Sequence, residues 1–465
     1  MTALSPDWVS DDGLIQLYCG DSADILPQLP THSVASVITD PPAGISFMGK
    51  EWDGSKGGRD KWIDWLAGIL KESLRICKPG GTLACWSLPR TSHWTGISVE
   101  SAGWDIFDVF QYVFGTGFPK SLDISKAIDK AAGAEREVVG SNPHARPNSD
   151  DRGEGVYGGG NGSDHSTDIT APATAPAKLW DGYGTALKPA AEFWWLAYAP
   201  REGSYAENAQ KHGVAGLNVD GCRVPISSCD VETIANMGGY GKAGWQREPT
   251  GIYNANVAEH LMPTRDAKPH TSGRWPANLS HDGSEEVVGM FPDSKCVGTY
   301  KNEQGPGAKF FGGQSDKRRL QQWNRHDNGS AARFFQECPR FMYGSKPSRS
   351  ERNENLEDKP DCEKPGRLQM RQDGGLDGHI TAPAPNNHPT VKSLSLMRYL
   401  CKLTKPPEGG IVLDPFMGSG TTVIAAWFEH RAAIGIEADD EYFRLAQARV
   451  EGAIRREAKD MPLFS

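Results

Sequence analysis

The sequence lacks several features that would assign it to a common class. No apolar run is long enough to cross a bilayer, and the first residues, MTALSPDWVSDDG, lack a basic stretch followed by an apolar one. The nine cysteines are scattered without a CxxC pair, which argues against a zinc ribbon or a disulfide framework. We therefore expect a protein of the reducing cytoplasm without a resident metal.

An excess of positive charge is also missing, because the formal net charge is -9. Taken alone, this value argues against a nucleic-acid partner. The distribution matters more than the sum, however, and residues 313–353 hold nine Lys or Arg against four Asp or Glu. Five aromatic residues are interleaved with these charges. A solvated basic loop over a small aromatic core and a DNA-contacting surface remain alternative interpretations of this window.

The chain is long and rich in loop-forming residues. Its 465 residues include 53 glycines and 32 prolines, and the mean hydropathy is -0.53, which predicts two or three domains with extended loops. Residues 14–115 and 385–455 alternate short apolar runs with amphipathic segments, which predicts a mostly parallel sheet covered by helices. Residues 116–380 are irregular, apart from a strand predicted in AAEFWWLAYAP.

The segment VASVITDPP predicts a buried strand that ends abruptly at Asp40. Val34, Val37 and Ile38 form the apolar run, and the two prolines that follow Asp40 cannot continue a ladder. An acid at the carboxyl end of a buried parallel strand lies where open α/β sheets bind their ligands. Asp40 is therefore a candidate catalytic residue.

A second motif, GIVLDPFMGSGTT, predicts a strand that enters a glycine turn and then a helix. The glycines permit close approach of a ligand, and Glu437, 17 residues after Gly420, ends the next predicted strand, where it could bind ribose hydroxyls. No lysine follows the last glycine, so this is not a triphosphate-binding loop. Asp414 before the turn suits a cationic amino group better.

TDPPA, NNHPTVKSLSLMRYL and DPFMGSGTT with Glu437 together resemble the amino-group DNA methyltransferases that use S-adenosylmethionine. The DPP segment comes first and the glycines last, as in the permuted beta group, which includes phage and orphan adenine enzymes. The resemblance implies an α/β fold with a Rossmann-like, circularly permuted methyltransferase sheet and an inserted target-recognition domain. It also implies a bacterial or phage-encoded cytoplasmic protein, with a homodimer as one arrangement found in the family.

The resemblance divides the chain into five segments. Residues 1–120 would form the catalytic half, 121–178 a flexible insertion and 179–200 a return strand of the sheet. Residues 201–380 would form the target-recognition domain and 381–465 the cofactor-binding half. Phosphate and base contacts in the recognition domain are expected from its basic residues, namely Lys317, Arg318, Arg319, Arg325 and Arg349.

The resemblance also implies the cofactor contacts. Asp21 would contact the adenine of S-adenosylmethionine, although it could instead cap the helix predicted from Ser22. His388, Thr390 and Lys392 would close over the methionine carboxylate, although His388 could be a structural loop residue. Ser393 stands where the family usually has a proline. The glycine turn would hold the methionine part through Asp414, Phe416, Gly418, Ser419, Gly420 and Thr421, and Glu437 would bind the ribose.

The catalytic segment implied by the resemblance is Asp40, Pro41, Pro42 and Ala43. Asp40 and the carbonyl of Pro41 would accept both hydrogens of a flipped base's amino group, and the Asp favours adenine-N6 over cytosine-N4. Ala43 departs from the family, in which an aromatic ring at this position stacks on the base. Losing such a ring costs about 1–3 kcal/mol.

Three interpretations of Ala43 stay open. It disables a DPPY enzyme, or another ring from the base pocket (Phe47, Trp52 or Tyr112) replaces the missing one, or the protein is a silent cofactor-dependent DNA binder. Methylation of RNA or of a protein amide is a further alternative. The basic and aromatic insertion argues against the protein substrate. No nuclease constellation, such as PD-ExK spacing, stands out in the sequence.

Overall fold

We describe the fold from a computed structural model of the chain. The structure describes residues 4–46, 51–115, 117, 121–141, 168–226, 273–299, 324–339, 369–370, 376–377 and 391–460. The chain forms two compact units. The first contains Met1–Asn218, Asn278–Ser284 and Glu337–Ser465, and the second contains Val219–Ala277 and Glu285–Gln336.

The strands of the described residues fall into one large sheet and three short pairs. In chain order they are β1 Trp8–Val9, β2 Ile15–Cys19, β3 Val34–Thr39, β4 Cys77–Ser87, β5 Asp105–Val113, β6 Val138–Ser141, β7 Asp168–Thr170, β8 Ala191–Tyr198, β9 Leu279–His281, β10 Asp293–Thr299, β11 Asn324–Ser330, β12 Gln336–Glu337, β13 Gln369–Met370, β14 Leu376–Asp377, β15 Val412–Asp414 and β16 Ala433–Glu437.

The helices follow the same alternation in both sequence-distant halves. They are α1 Ser22–Ile25, α2 Arg59–Ile76, α3 Ser92–Ser101, α4 Ile124–Ala131, α5 Ala175–Leu179, α6 Tyr205–His212, α7 Glu285–Val288, α8 Leu394–Leu403, α9 Thr421–Phe428 and α10 Asp440–Asp460. Short 3-10 segments cover Leu26–Gln28, Glu51–Asp53, Asp220–Cys222 and Ala331–Phe334.

The large sheet confirms the predicted α/β class. Its order is β1-β2-β16-β15-β3-β4-β8-β5-β9-β12. The run from β2 to β4 is parallel throughout, whereas β8 is antiparallel to both of its neighbours. The C-terminal strands β15 and β16 lie between two N-terminal strands, so the chain order is permuted relative to the sheet order, as predicted.

Packing follows the apolar patterns of the sequence. Every residue of β3 is buried, as expected for a central parallel strand covered on both faces. Helix α2 buries one face through Trp62, Leu66, Ile69 and Leu70, which belong to the main core cluster. This cluster fixes β3 and therefore the position of Asp40, the residue that follows it.

The compact units do not follow the predicted boundary at residue 201. Helix α6 belongs to the first unit, and its buried Asn208 donates to the carbonyl of Pro79 at 2.8 Å and to that of Val214 at 2.6 Å. These bonds attach residues 201–214 to the start of β4. The second unit contains α7 and the hairpin of β10 and β11, among other segments.

We find no helix in the described part of the chain that is both long and apolar enough to cross a membrane.

Candidate functional site

The sheet brings three acids to one edge. Asp414 and Glu437 end the parallel strands β15 and β16, and Asp40 directly follows β3. Strand order reverses between β15 and β3, since β16 and β2 lie on one side and β4 on the other. Ligands of open α/β sheets bind outside the carboxyl ends of the strands at such a switch point.

Asp414 is buried, and two hydrogen-bond donors hold its carboxylate in place. Its Oδ1 accepts from the hydroxyl of Thr39 at 2.8 Å and from the backbone N–H of Phe416 at 3.1 Å. Burial raises the pKa of Asp414 to about 6, although the hydroxyls of Thr422 and Thr39 and the Phe416 amide oppose this shift. The Thr39 bond joins the end of β3 to the end of β15.

Glu437 organises the glycine turn. Its Oε2 accepts from the N–H of Gly418 at 2.8 Å, and its Oε1 accepts from the N–H of Asp439 at 2.9 Å. Burial raises the pKa of Glu437 to about 7, and the two amide bonds oppose that effect. The carboxylate thus joins the turn after β15 to the loop after β16.

The rest of the turn is closely packed. Gly420 has a φ of +80°, and a Cβ there would lie 3.1 Å from the Cβ of Ala446 on α10. Arg449 of α10 donates to the Ser419 carbonyl, to Ser419 Oγ at 2.9 Å and to Thr421 Oγ1 at 3.2 Å. Phe416 packs against Trp65, with ring centres 5.5 Å apart. All the predicted turn residues are therefore close to this edge.

Asp40 forms an ion pair that the sequence does not reveal. Lys392 Nζ lies 3.0 Å from Asp40 Oδ2, and the side chains are only 12% and 18% exposed. Burial raises the pKa of Asp40 to about 7, whereas Lys392 lowers it and the charges of Glu192 and Asp414 raise it further. Lys392, predicted to lie near the cofactor carboxylate, contacts the DPP segment in this structure.

A tryptophan lies beside this ion pair. Lys392 Nζ is 3.6 Å from the ring centre of Trp86, and the indole N–H of Trp86 donates to Glu192 Oε2 at 3.1 Å. Our sequence analysis did not single out Trp86 or Glu192. The register of β3 and β4 pairs Thr39 with Cys85, which places Trp86 beside Asp40.

The backbone after the prolines is held by hydrogen bonds to two side chains. Thr91 Oγ1 donates to the carbonyl of Ala43 at 3.1 Å, and Asp53 Oδ1 accepts from the N–H of Gly44 at 3.0 Å. Gly44 has a φ of +72°, and a Cβ on it would lie 2.8 Å from Trp62 Nε1. Ala43 therefore lies on a loop with a defined course.

The predicted base-pocket residues are placed differently from one another. Tyr112 is fully buried, and its hydroxyl donates to the Cys338 carbonyl at 2.9 Å, so it is a core residue of β5. Trp52 is half-buried beside Asp53. Phe47 lies outside the described residues.

The remaining predicted residues give less information. Asp21 is exposed and caps α1, accepting from the Ala23 N–H at 2.8 Å, which is the alternative role named above. His388, Thr390, Lys317, Arg318, Arg319 and Arg349 lie outside the described residues. Arg325 lies on β11, with only its backbone described. Within the described part, no group of His, Cys, Asp or Glu could hold a metal ion.

Comparison with known proteins supports the resemblance. Residues 275–448 match the sequence model of a family described as DNA methylase, with both N6 and N4 in its title. This stretch of the chain is therefore similar to the amino-group DNA methyltransferases. This match contains Lys392, Asp414 and Glu437, whereas Asp40 precedes it.

Curated relatives match shorter stretches. The chain is 43% identical over 70 residues to type II methyltransferase M.SmaI of Serratia marcescens, and the match covers 15% of this chain and 24% of that one. It is 39% identical over 75 residues to the DNA adenine methyltransferase YhdJ of Escherichia coli K12, covering 16% and 25%. The matches thus span about a quarter of these relatives.

Solved structures resemble the chain only loosely. The M1.HpyAVI–SAM complex aligns over 94% of this chain and 98% of its own, with 16% identity and a TM-score of 0.35. The cytosine-N4-specific PvuII DNA methyltransferase aligns over 98% and 94%, with 12% identity and a TM-score of 0.40. Likeness at this level carries no argument about the site.

The edge of the sheet at the carboxyl ends of β3, β15 and β16 is complementary in charge to S-adenosylmethionine, the methyl donor of this family. That molecule carries a sulfonium and an ammonium group. Asp414 is buried and Glu437 is half-buried, desolvation raises the pKa of both, and hydroxyl and amide hydrogens hold their carboxylates. A cationic ligand would favour the ionised form of both acids.

Two substitutions at Asp414 separate its structural role from its charge. Asp414→Asn keeps the Oδ1 acceptor for Thr39 and Phe416, so we expect nearly unchanged unfolding free energy and at least tenfold weaker S-adenosylmethionine binding. Asp414→Ala leaves those buried donors unsatisfied and should lower the unfolding free energy by about 1–3 kcal/mol. Urea unfolding and calorimetric titration measure the two effects. Full-strength binding by the Asn variant would contradict a role for the charge.

Proposed function

We propose that this chain transfers a methyl group from S-adenosylmethionine to the exocyclic amino nitrogen of a base flipped out of duplex DNA. The observation that carries the proposal is the hydrogen bond between the carboxyl ends of β3 and β15. There Thr39 bonds Asp414 while the next residue, Asp40, faces a cationic N–H donor. One strand thus supplies an acceptor for an amino group, and its neighbour supplies the turn for a cationic cofactor.

The cofactor contacts in the proposal follow the glycine turn. S-adenosylmethionine supplies an activated methyl group. Asp414 and the turn from Phe416 to Thr421 would orient its methionine part, and Glu437 would accept from the ribose hydroxyls while it keeps the Gly418 and Asp439 amides. His388, Thr390 and Asp21 keep their predicted roles as proposals.

Asp40 and the Pro41 carbonyl would act on the target base. Each would accept one amino hydrogen, which directs the nitrogen lone pair towards the methyl group and orients an in-line displacement. Lys392 forms the hydrogen bond to Asp40 that the amino group would form. A base that used the same oxygen, Oδ2, would displace this ammonium.

Adenine-N6 is the favoured target. In the family that the chain resembles, an Asp before the two prolines usually goes with methylation of adenine-N6. One relative is also named a DNA adenine methyltransferase. Cytosine-N4 is the second candidate. Because several relatives are named type II methyltransferases, we include a modification role in restriction-modification. The predicted homodimer stays a prediction.

Most of the proposed DNA contacts belong to the second unit. There Arg274 lies 4.8 Å and Arg333 4.4 Å from the ring centre of Phe334, and Arg223 lies 5.5 Å from that of Trp275, whose side chain is exposed. Guanidinium groups supported by rings can contact phosphates or bases. We propose this arginine–aromatic cluster as a DNA contact, together with Lys317, Arg318, Arg319, Arg325 and Arg349.

Methyl transfer tests the proposed reaction. We expect labelled S-adenosylmethionine to give N6-methyladenine in unmethylated genomic DNA, at a rate at least about fivefold higher in Ala43→Tyr, because the missing ring is worth about 1–3 kcal/mol. Digestion to nucleosides and mass spectrometry identify the product. N4-methylcytosine would overturn the choice of base. No product from either protein, despite cofactor binding, would overturn the reaction.

The rate should depend on the ionisation of Asp40. Its pKa is raised to about 7. The carboxyl is therefore protonated below that pH, where only one of its oxygens is a good hydrogen-bond acceptor, and it is ionised above that pH. We expect kcat/KM for DNA to rise up to tenfold per pH unit below about pH 7 and to level off above it. Ionisation of Asp414 and Glu437 would change cofactor binding. The assay therefore uses a saturating cofactor concentration, verified by a binding measurement at each pH, so that the profile reports Asp40. A flat profile between pH 5.5 and 8 would contradict it.

Arg274→Gln tests the arginine–aromatic cluster. If Arg274 contacts a phosphate, its loss should weaken duplex binding for all sequences and reduce the slope of log affinity against log salt by about one. Arg455→Gln is the matched control, because Arg455 is exposed on α10 and paired with Glu451. Filter binding at several salt concentrations measures both. Equal slopes for the two variants would exclude this contact.

A further inference from the structure

We propose that Trp86 supplies an aromatic wall of the target-base site, so that a base whose amino group is held by Asp40 stacks on the Trp86 ring. This inference rests on the proposed function and assigns its base site to a residue outside the DPP segment. It also identifies a ring for the site in a chain that has Ala43 after the prolines.

The position of Lys392 supports this assignment. Its ammonium is an N–H donor 3.0 Å from Asp40 Oδ2, the separation expected for any amino nitrogen bound to that carboxylate. The same nitrogen is 3.6 Å from the Trp86 ring centre, which is van der Waals contact. An exocyclic amino group that replaced the ammonium would therefore lie against the face of the indole.

The ring is held in a fixed orientation. Trp86 lies on β4 one residue after Cys85, the register partner of Thr39, so it is adjacent to Asp40 across the parallel pair. Its N–H donates to Glu192 on β8. The side chain is half-buried, and the fixed ring would lose little conformational freedom on stacking.

The same geometry makes Lys392 a competitor of the base. Its ammonium contacts both the acid and the ring that the base would use. Removing the ammonium should open the site to bases that carry an amino group. Removing the Trp86 ring in the same background then shows whether the ring contributes to the binding of that base.

The test uses nucleosides as probes and needs no catalysis. Binding of 2′-deoxyadenosine, 2′-deoxycytidine and thymidine is followed by ligand-observed NMR, with S-adenosylhomocysteine present to fill the cofactor site. At pH 9, chosen because losing Lys392 raises the pKa of Asp40, we expect Lys392→Met to bind deoxyadenosine at least fivefold more tightly than the parent chain, and thymidine, which lacks the amino group, no better. Adding Trp86→Leu to Lys392→Met should weaken deoxyadenosine binding at least fivefold.

Two matched variants control for folding. Trp195→Leu removes another half-buried indole from the same sheet, one bonded to Ser92, and should leave deoxyadenosine binding within twofold. Trp86→Phe keeps a ring and should retain binding within about threefold. If Trp86→Leu does not fold, Trp86→Met replaces it. No gain in Lys392→Met, or equal binding with and without the Trp86 ring, overturns the proposal.

Methyl transfer separates this inference from the proposed function. In whichever of the parent and Ala43→Tyr is active, Trp86→Leu should lower kcat at least fivefold and leave duplex binding unchanged. An unchanged kcat overturns the role of Trp86 alone. Nucleoside binding that depends on Trp86 in a protein without methyl transfer overturns the proposed reaction but supports the base site.

Discussion

The structure depends on the seam where β15 inserts between β16 and β3. Arg431 lies at this seam and is almost fully buried, which lowers its pKa to about 10. Its guanidinium donates to the carbonyls of Gly410 and Cys401, to Thr404 Oγ1 and to Ser36 Oγ. Ser36 belongs to the N-terminal half, so one satisfied cation joins segments almost 400 residues apart in sequence.

This seam determines the electrostatics of the edge. Because β3 and β15 are adjacent and parallel, Asp40 and Asp414 end on the same side, and Glu437 ends beside them on β16. Burial raises the pKa of all three carboxyls. A fold that keeps several acids together in a desolvated place loses stability there. Such a cluster is tolerated when a cation, from Lys392 or from a ligand, interacts with it.

The sequence predicted local features better than contacts between distant segments. Apolar runs and prolines placed the end of β3, and the glycines and Glu437 placed the turn, because each depends on neighbouring residues. The ion pair of Asp40 and Lys392 joins residues about 350 positions apart, so no local pattern could reveal it. The attachment of α6 through Asn208 was missed for the same reason, since residues 201–214 have no apolar periodicity that marks them as part of the sheet unit.

Ala43 and Trp86 show why a missing motif residue does not by itself define a missing activity. A motif records one position along the chain, whereas a base site needs a planar surface at a given distance from an acceptor. Thr91 and Asp53 hold the backbone of the loop that contains Ala43. The loop therefore cannot shift to bring another of its own residues into the place of the missing ring. Trp86 comes from the adjacent strand and already lies in contact with the nitrogen bound to Asp40. A single ring would hold a base less firmly than two, so under the proposed function this arrangement favours slow methyl transfer over none.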